Sequence, residues 1–276
     1  MKCKDYDQKT LDKLHEVELE IMDEFVKICD KHKLNYFLTG GTMLGAVRHK
    51  GFIPWDDDID VGMTRKEYDL FIKYAKDELN DKYFLDCHET NPEYYLPFAK
   101  IKKNNTIFDE EASHNLNNHK GIFIDIIPFE NVKKQDSFSQ KIQAILVRNI
   151  TDTMFYKKKI RKLKNTRHPI LAAILSIIPD YQLMKIQKKL STLNKDDNSE
   201  YMVALAGTYG YQKETMKRSI FLPTKKIKFE SKEYLGMSNP DGYLSKIFGN
   251  YMELPPKEKR VNHMPLKIDF GDSDEN

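Results

Sequence analysis

Residues 38–62 read Leu-Thr-Gly-Gly-Thr-Met-Leu-Gly-Ala-Val-Arg-His-Lys-Gly-Phe-Ile-Pro-Trp-Asp-Asp-Asp-Ile-Asp-Val-Gly, and they decide both the fold and the chemistry to look for. Asp56, Asp57, Asp58 and Asp60 crowd into a short span. Asp58 and Asp60 flank Ile59, and Val61 follows. Alternation of period two is a strand pattern, so a strand is predicted over 58–63 with both acids on one face. Two carboxylates on one face repel unless a cation lies between them, and hard divalent ions take oxygen ligands. The pair points to metal-assisted chemistry on phosphate. Asp56 is a supporting candidate that braces the loop or a metal-bound water. Asp57 has no place in the alternation and is expected to face solvent.

The flanking sequence alternates helix and strand. Leu14, Val17, Ile21, Phe25 and Ile28 recur at spacings of three and four and predict an amphipathic helix over 11–31. A short strand at 36–38 is broken by Gly40 and Gly41, a helix follows over 42–48, and 49–57 is a loop. Thr64 and Glu67 match a capping box that opens a helix to about residue 79. Strands are predicted over 83–87, 98–101 and 121–127. This order places the chain in the α/β or α+β class.

Three features join the acidic strand. Gly40, Gly41 and Thr42 stand between a strand and a helix start, where glycine lets the backbone approach a phosphate and the helix offers free N–H donors. Arg48, one short helix later, can clamp a phosphate. Asp125 is a single carboxylate inside the apolar run Gly-Ile-Phe-Ile-Asp-Ile-Ile-Pro at 121–128. A buried acid needs neutralising. A helix N–H or a lysine can do this, but a metal shared with Asp58 and Asp60 fits better.

Composition narrows the class. The chain has 276 residues, 45 basic and 42 acidic, for a net charge of +3, which is too balanced to imply nucleic-acid binding. Residues 1–10 lack the apolar core of a signal peptide, and no apolar run approaches the length of a membrane span. Cys3, Cys29 and Cys87 are too few and too widely spaced for a disulfide framework or a zinc site. A soluble globular protein in reducing cytoplasm is expected. After Glu130 the composition shifts. Residues 157–167 hold seven Lys and Arg and no acid, and an apolar segment lies between Pro169 and Pro179. A helical basic insertion at 133–200 is therefore expected between a catalytic core at 1–132 and a C-terminal segment at 201–276 that completes the substrate site. The acidic end, 269–276, is expected to fray. His114 and His119 lie in a polar loop read as a mobile lid.

Gly-Gly, a helix, Asp-x-Asp on a strand, then a lone Asp on a later strand is the pattern of the nucleotidyltransferase superfamily. The version at 38–62 closely resembles the LicD family, which includes bacterial phosphocholine transferases, fukutin and fukutin-related protein. A second match, Phe-Gly-Asn-Tyr-Met-Glu-Leu-Pro-Pro-Lys-Glu-Lys-Arg at 248–260 followed by His263, resembles the family's tyrosine-rich, Pro-Pro-containing end. Phe248 stands where tyrosine is expected. The resemblance covers roughly 30–130 and 220–265. It implies a mixed β-sheet flanked by helices, and transfer of a phosphorylated alcohol from a CDP-alcohol to a sugar hydroxyl on a glycan or lipid-linked precursor, releasing CMP.

On that reading Asp58, Asp60 and Asp125 hold one or two Mg²⁺ ions, with Mn²⁺ as a substitute. Asp125 is the candidate base for the acceptor's proton. Gly40, Gly41 and Thr42 position the donor phosphates, and Arg48, Arg260 and Lys100 balance charge on departing CMP. His263 touches phosphate or acceptor. Choline would need an aromatic cage, for which Tyr94, Tyr95, Tyr209, Tyr211 and Trp55 are available. Three other readings compete. One is a nucleotidyltransferase acting on NTP. Another is an EF-hand counted from Asp56, which fails on Val61 at the glycine position. The third is contact of 157–190 with a membrane at its inner face, which is compatible with the transferase.

Overall fold

The computed structural model describes residues 6–135, 137–263 and 265–271. The expectations for Cys3 and most of the acidic end fall outside these residues. The chain begins with helix α1 (Gln8–His32), strand β1 (Phe37–Leu38), α2 (Gly40–Arg48), β2 (Asp60–Thr64) and α3 (Arg65–Glu78). Strands β3 (Tyr83–Asp86), β4 (Ala99–Lys103), β5 (Ile107–Glu110) and β6 (Phe123–Val132) follow. Helices α4 (Phe138–Lys157), α5 (Pro169–Leu175) and α6 (Asp180–Ser191) then lead to β7 (Tyr201–Val203). The remainder is α7 (Tyr211–Glu214), β8 (Thr215–Lys217), α8 (Arg218–Phe221), β9 (Lys225–Phe229), β10 (Lys232–Gly236), α9 (Pro240–Phe248) and β11 (Pro265–Asp269). The class is α+β, with a mixed sheet flanked by helices.

The main sheet runs β1-β2-β6-β4-β3, with β7 on β6 and β8 on β7. Among the described residues of this sheet, β2 and β6 alone pair in parallel; the other ladders are antiparallel. Helices α1 and α3 pack on the sheet through their apolar stripes. Phe25, Phe37, Phe71, Phe129 and Phe221 are among the largest fully buried side chains. A separate small core of Ile150, Met154, Leu183 and Met184 joins α4 to α6. The helices α4 to α6 lie between β6 and the return strand β7, whose residues 201–203 pair with 130–132.

Local signals explain most boundaries. Asp7 caps α1 by accepting from the Thr10 amide, and Lys33 ends it at φ 54. Thr64 caps α3 by accepting from the Glu67 amide, the forward half of the capping box. The predicted strand over 58–63 begins two residues late, at Asp60. The ladder with β6 starts there, Asp60 opposite Asp125, and β1 joins only from Val61; the Ile59 carbonyl accepts from the Asp125 amide at 2.8 Å. The EF-hand reading fails structurally, because β2 occupies the middle of what would be its loop. The 110–120 loop, expected to be mobile, is tied to its neighbours in this structure. Asp109 takes His114 at 2.5 Å and Lys120 at 2.7 Å, and His119 takes Asn104 at 2.8 Å.

Candidate active site

Register across the sheet builds the acidic centre. Asp60 on β2 is paired with Asp125 on β6, and Asp125 with Lys100 on β4, which faces Asp86 on β3. Four adjacent strands thus carry a row of charges: acid, acid, base, acid. Asp58 enters from the loop just before β2. Asp58, Asp60 and Asp125 each offer an oxygen within 4.8 Å of the others. Three carboxylate oxygens at that spacing suit a hard divalent ion; they select its class and not the element.

The acids repel one another in a dry setting. Burial, then Asp57 and Asp125, pushes the Asp58 carboxyl up to about 6, with His263 pulling the other way. Burial first, then mutual repulsion, raises Asp56 and Asp60 well above the carboxylate range. Asp125 rises through burial, against the pull of Lys100. A cation among them would reverse these shifts, which is the electrostatic signature of a metal site.

Asp125 is not isolated, as the sequence suggested. The Lys100 ammonium, 6% exposed, lies 2.8 Å from Asp125 Oδ1. Lys100, expected to balance charge on departing CMP, pairs with Asp125 here, and its ammonium also sits over the Phe123 ring at 3.2 Å.

The glycines act through space. Gly40 adopts φ +54, and a Cβ there would stand 2.5 Å from Asp60 Oδ2. A Cβ on Gly41 would stand 2.8 Å from Asp56 Oδ2. Two carboxylates therefore approach the N-terminus of α2, where the dipole favours negative charge. Thr42, expected to help position the donor phosphates, is held inside the fold. It is buried, and its hydroxyl accepts from the Asp60 amide at 2.8 Å, fixing the start of β2.

Asp57 corrects another expectation. It is 1% exposed, not solvent-facing. It accepts from the Tyr6 hydroxyl at 2.5 Å, the His263 amide at 3.0 Å and His263 Nδ1 at 3.0 Å. The other ring nitrogen of His263 points toward Asp58 Oδ2 at 3.9 Å. Burial alone would lower the His263 imidazole, but Asp58 and Asp57 hold it protonated, well above its usual value. His263 is thus a counter-charge for the acidic loop. His15 braces the same loop from α1, with Nε2 2.9 Å from the Asp56 carbonyl oxygen.

Arg48 and Arg260 sit at the rim. Arg48 donates to the Tyr251 carbonyl at 2.7 Å and so holds the C-terminal segment against α2. Arg260 lies over the Trp55 ring at 4.0 Å. Burial, then the neighbouring Arg260, lowers Arg48, while Asp56 raises it. Two guanidiniums therefore converge beside the acids. The aromatic residues do not form one cage. Trp55 is taken by Arg260, Tyr209 packs edge-on against Phe248, and Tyr94 neighbours Tyr95. Burial, then Glu214 and the three site acids Asp60, Asp56 and Asp58, pushes the Tyr209 hydroxyl up to about 12.

Two contributors escaped the sequence reading. Tyr243 of α9 places its hydroxyl 3.0 Å from Thr39 Oγ1 and accepts from the Gly40 amide at 3.1 Å, which sets the turn into α2. Glu18 is a carboxyl buried on α1, pushed up by burial and by Asp58, Asp57 and Asp56. Its signal was readable: it breaks the apolar stripe of Leu14, Val17 and Ile21.

Comparison with known proteins agrees with this geometry. A family model described as LicD/FKTN/FKRP, nucleotidyltransferase domain, matches residues 33–168. The chain is 30% identical over 254 residues to lipopolysaccharide cholinephosphotransferase LicD of Haemophilus influenzae, covering 89% of this chain and 92% of that one. It is 45% identical over 38 residues to the human and mouse ribitol 5-phosphate transferase FKRP, covering 14% of this chain and 8% of theirs.

Proposed function

Because the chain belongs to the LicD family and is a transferase of that type, we propose that it moves phosphocholine, or a similar phosphorylated alcohol, from a CDP-alcohol to a hydroxyl of a cell-surface glycan or lipid-linked precursor. The observation that carries this reading is the convergence of Asp58, Asp60 and Asp125 beside the N-terminus of α2. Phosphoryl transfer needs positioning and charge stabilisation more than covalent help.

The acceptor oxygen bonds to the distal phosphorus as the bridge to CMP breaks, and CMP leaves. Asp58, Asp60 and Asp125 would hold a divalent ion, Mg²⁺ or Mn²⁺, which when bound would neutralise phosphate charge. The free amides of α2 at Gly41 and beyond face the donor phosphates, which come close because no Cβ intervenes. Arg48 and Arg260 stabilise the leaving CMP from the rim. Asp125 accepts the acceptor's proton. Burial raises its pKa, which strengthens it as a base, and Lys100 opposes that rise. The catalytic core lies in 1–132, with Arg260 and His263 reaching it from 201–276. The enzyme works in the cytoplasm, at the inner face of the membrane.

The test is CMP release across a panel of CDP-alcohols with Mg²⁺, with and without candidate glycans, for the native chain and Asp58→Asn. CMP formed from one donor and lost in the variant supports the reading. Pyrophosphate released from an NTP instead would replace it with nucleotidyl transfer.

A further inference from the structure

The helices between β6 and β7 present large apolar side chains to solvent. On α4, Phe138, Ile142, Ile145 and Leu146 fall at helical spacing and form one stripe. Phe138 is 78% exposed and Ile145 50%. On α5 and just past its end, Ile170, Ile174 and Ile177 form a second stripe, 79%, 59% and 84% exposed. Helices in globular proteins bury such stripes. Yet α4 already buries another face, with Ala144, Val147, Ile150 and Met154. Nothing among the described residues covers the exposed stripes.

Charge says what does. Residues 138–191 carry twelve Lys and Arg against two Asp, a net +10, whereas the whole chain is only +3. Both acids are already paired inside this region. Asp152 meets Arg161 and Arg167, and Asp180 meets Lys157 and Lys158. The remaining excess is positive, including exposed Lys159, Lys162 and Lys164 on the 158–168 connection. A second copy of this surface would be repelled, and a nucleic acid would leave the isoleucines unpaired. Apolar side chains flanked by cations on these two helices match an interface of headgroups and acyl chains bearing negative charge. Among the described residues no single helix is long and apolar enough to cross a membrane.

A cavity of about 570 Å³ is lined by residues of this surface and by Tyr209, whose hydroxyl is pushed up by burial, Glu214 and the site acids. Ile145 and Arg148 of α4, Arg167, and His168 just before α5 line one wall, and Tyr209 lines another. We propose that the α4 and α5 stripes dock on an anionic membrane, with the surrounding lysines on lipid phosphates, and that docking turns this cavity toward the headgroups to receive an acceptor carried by lipid. The docking stands on the surface alone; delivery of the acceptor rests on the transferase reading above.

The experiment is flotation of the full chain with neutral phosphatidylcholine vesicles and with vesicles containing phosphatidylglycerol. The comparison is the double variant Ile170→Asp/Ile174→Asp, whose side chains are exposed and leave packing unchanged. The native chain should bind anionic vesicles about tenfold or more tightly than neutral ones, with binding weakened by salt. The variant should lose that binding about tenfold or more, while keeping its unfolding temperature and Mn²⁺ affinity. Three results would overturn the docking: no preference for anionic vesicles, unchanged binding of the variant, or a stable dimer in light scattering that the variant dissociates. Loss of CMP release with vesicle binding intact would sink the transferase reading and leave the docking standing.

Discussion

Replacing Asp58 by Asn should stabilise the protein when divalent cations are withheld at neutral pH. In the folded state the Asp58 carboxyl rises from 3.8 to about 6, mainly through burial. The folded protein therefore holds this proton more tightly than the unfolded chain. Below about pH 4 both states are protonated and Asp58 costs nothing. As pH rises from about 4 to 6 the folded state must ionise it, and stability falls. Above pH 6 the cost is complete. A shift of about two units at 1.36 kcal/mol each is on the order of 3 kcal/mol. Asp56, Asp60 and Asp125 shift the same way, so the cost of the whole cluster is larger. Asn keeps the shape and loses the charge. Thermal unfolding in EDTA at pH 7.5 should show the variant melting roughly 5–10 °C above the native chain, with the gap closing near pH 4. Adding Mg²⁺ or Mn²⁺ should raise the native melting temperature and leave the variant nearly unmoved. An Asp58→Asn protein no more stable than native at pH 7.5 without metal would refute the account of a repelling, cation-seeking cluster.

Gly40→Ala forces a side chain into left-handed backbone, about 1–2 kcal/mol of strain, and drives its Cβ to 2.5 Å from Asp60 Oδ2. Calorimetry should show Mn²⁺ binding weakened about tenfold or more, and native-like binding would contradict the close approach. Lys100→Met leaves Asp125 buried without its partner and should destabilise by about 3–5 kcal/mol in denaturant unfolding; adding Asp125→Asn should recover part of that. Tyr243→Phe removes the hydroxyl at Thr39 and Gly40 and should cost about 1–2 kcal/mol. CMP release should fall by more than the loss of folded protein explains.

The acids were legible because their signal is local. Asp58 and Asp60 sit two apart on a predicted strand, and Asp125 stands out in an apolar run. Their pairing was not, since register across β2, β6 and β4 joins residues 60, 125 and 100 that no spacing relates. Lys100 consequently read as a substrate cation instead of a partner for Asp125. Asp57 read as solvent-facing because its burial is made by Tyr6 and His263, one before α1 and the other near the far end of the chain. The long helices were readable from their apolar stripes. Strands β5 and β7 to β11 were missed: they are three to five residues long, and half the positions of β9 and β10 are exposed, which leaves little alternation to read. The exposed stripe of α4 was hidden too, because that helix is apolar on more than one side.

The hydrogen bonds from His263 to Asp57 span 206 positions of sequence, and those of Tyr243 to Thr39 and Gly40 span more than 200. During synthesis at ~5–20 residues per second, the acidic loop emerges roughly 10–40 seconds before its counter-charge. The basic helices emerge between them. The acidic centre is thus completed last, when Tyr243 and His263 arrive after the basic helices have already been made.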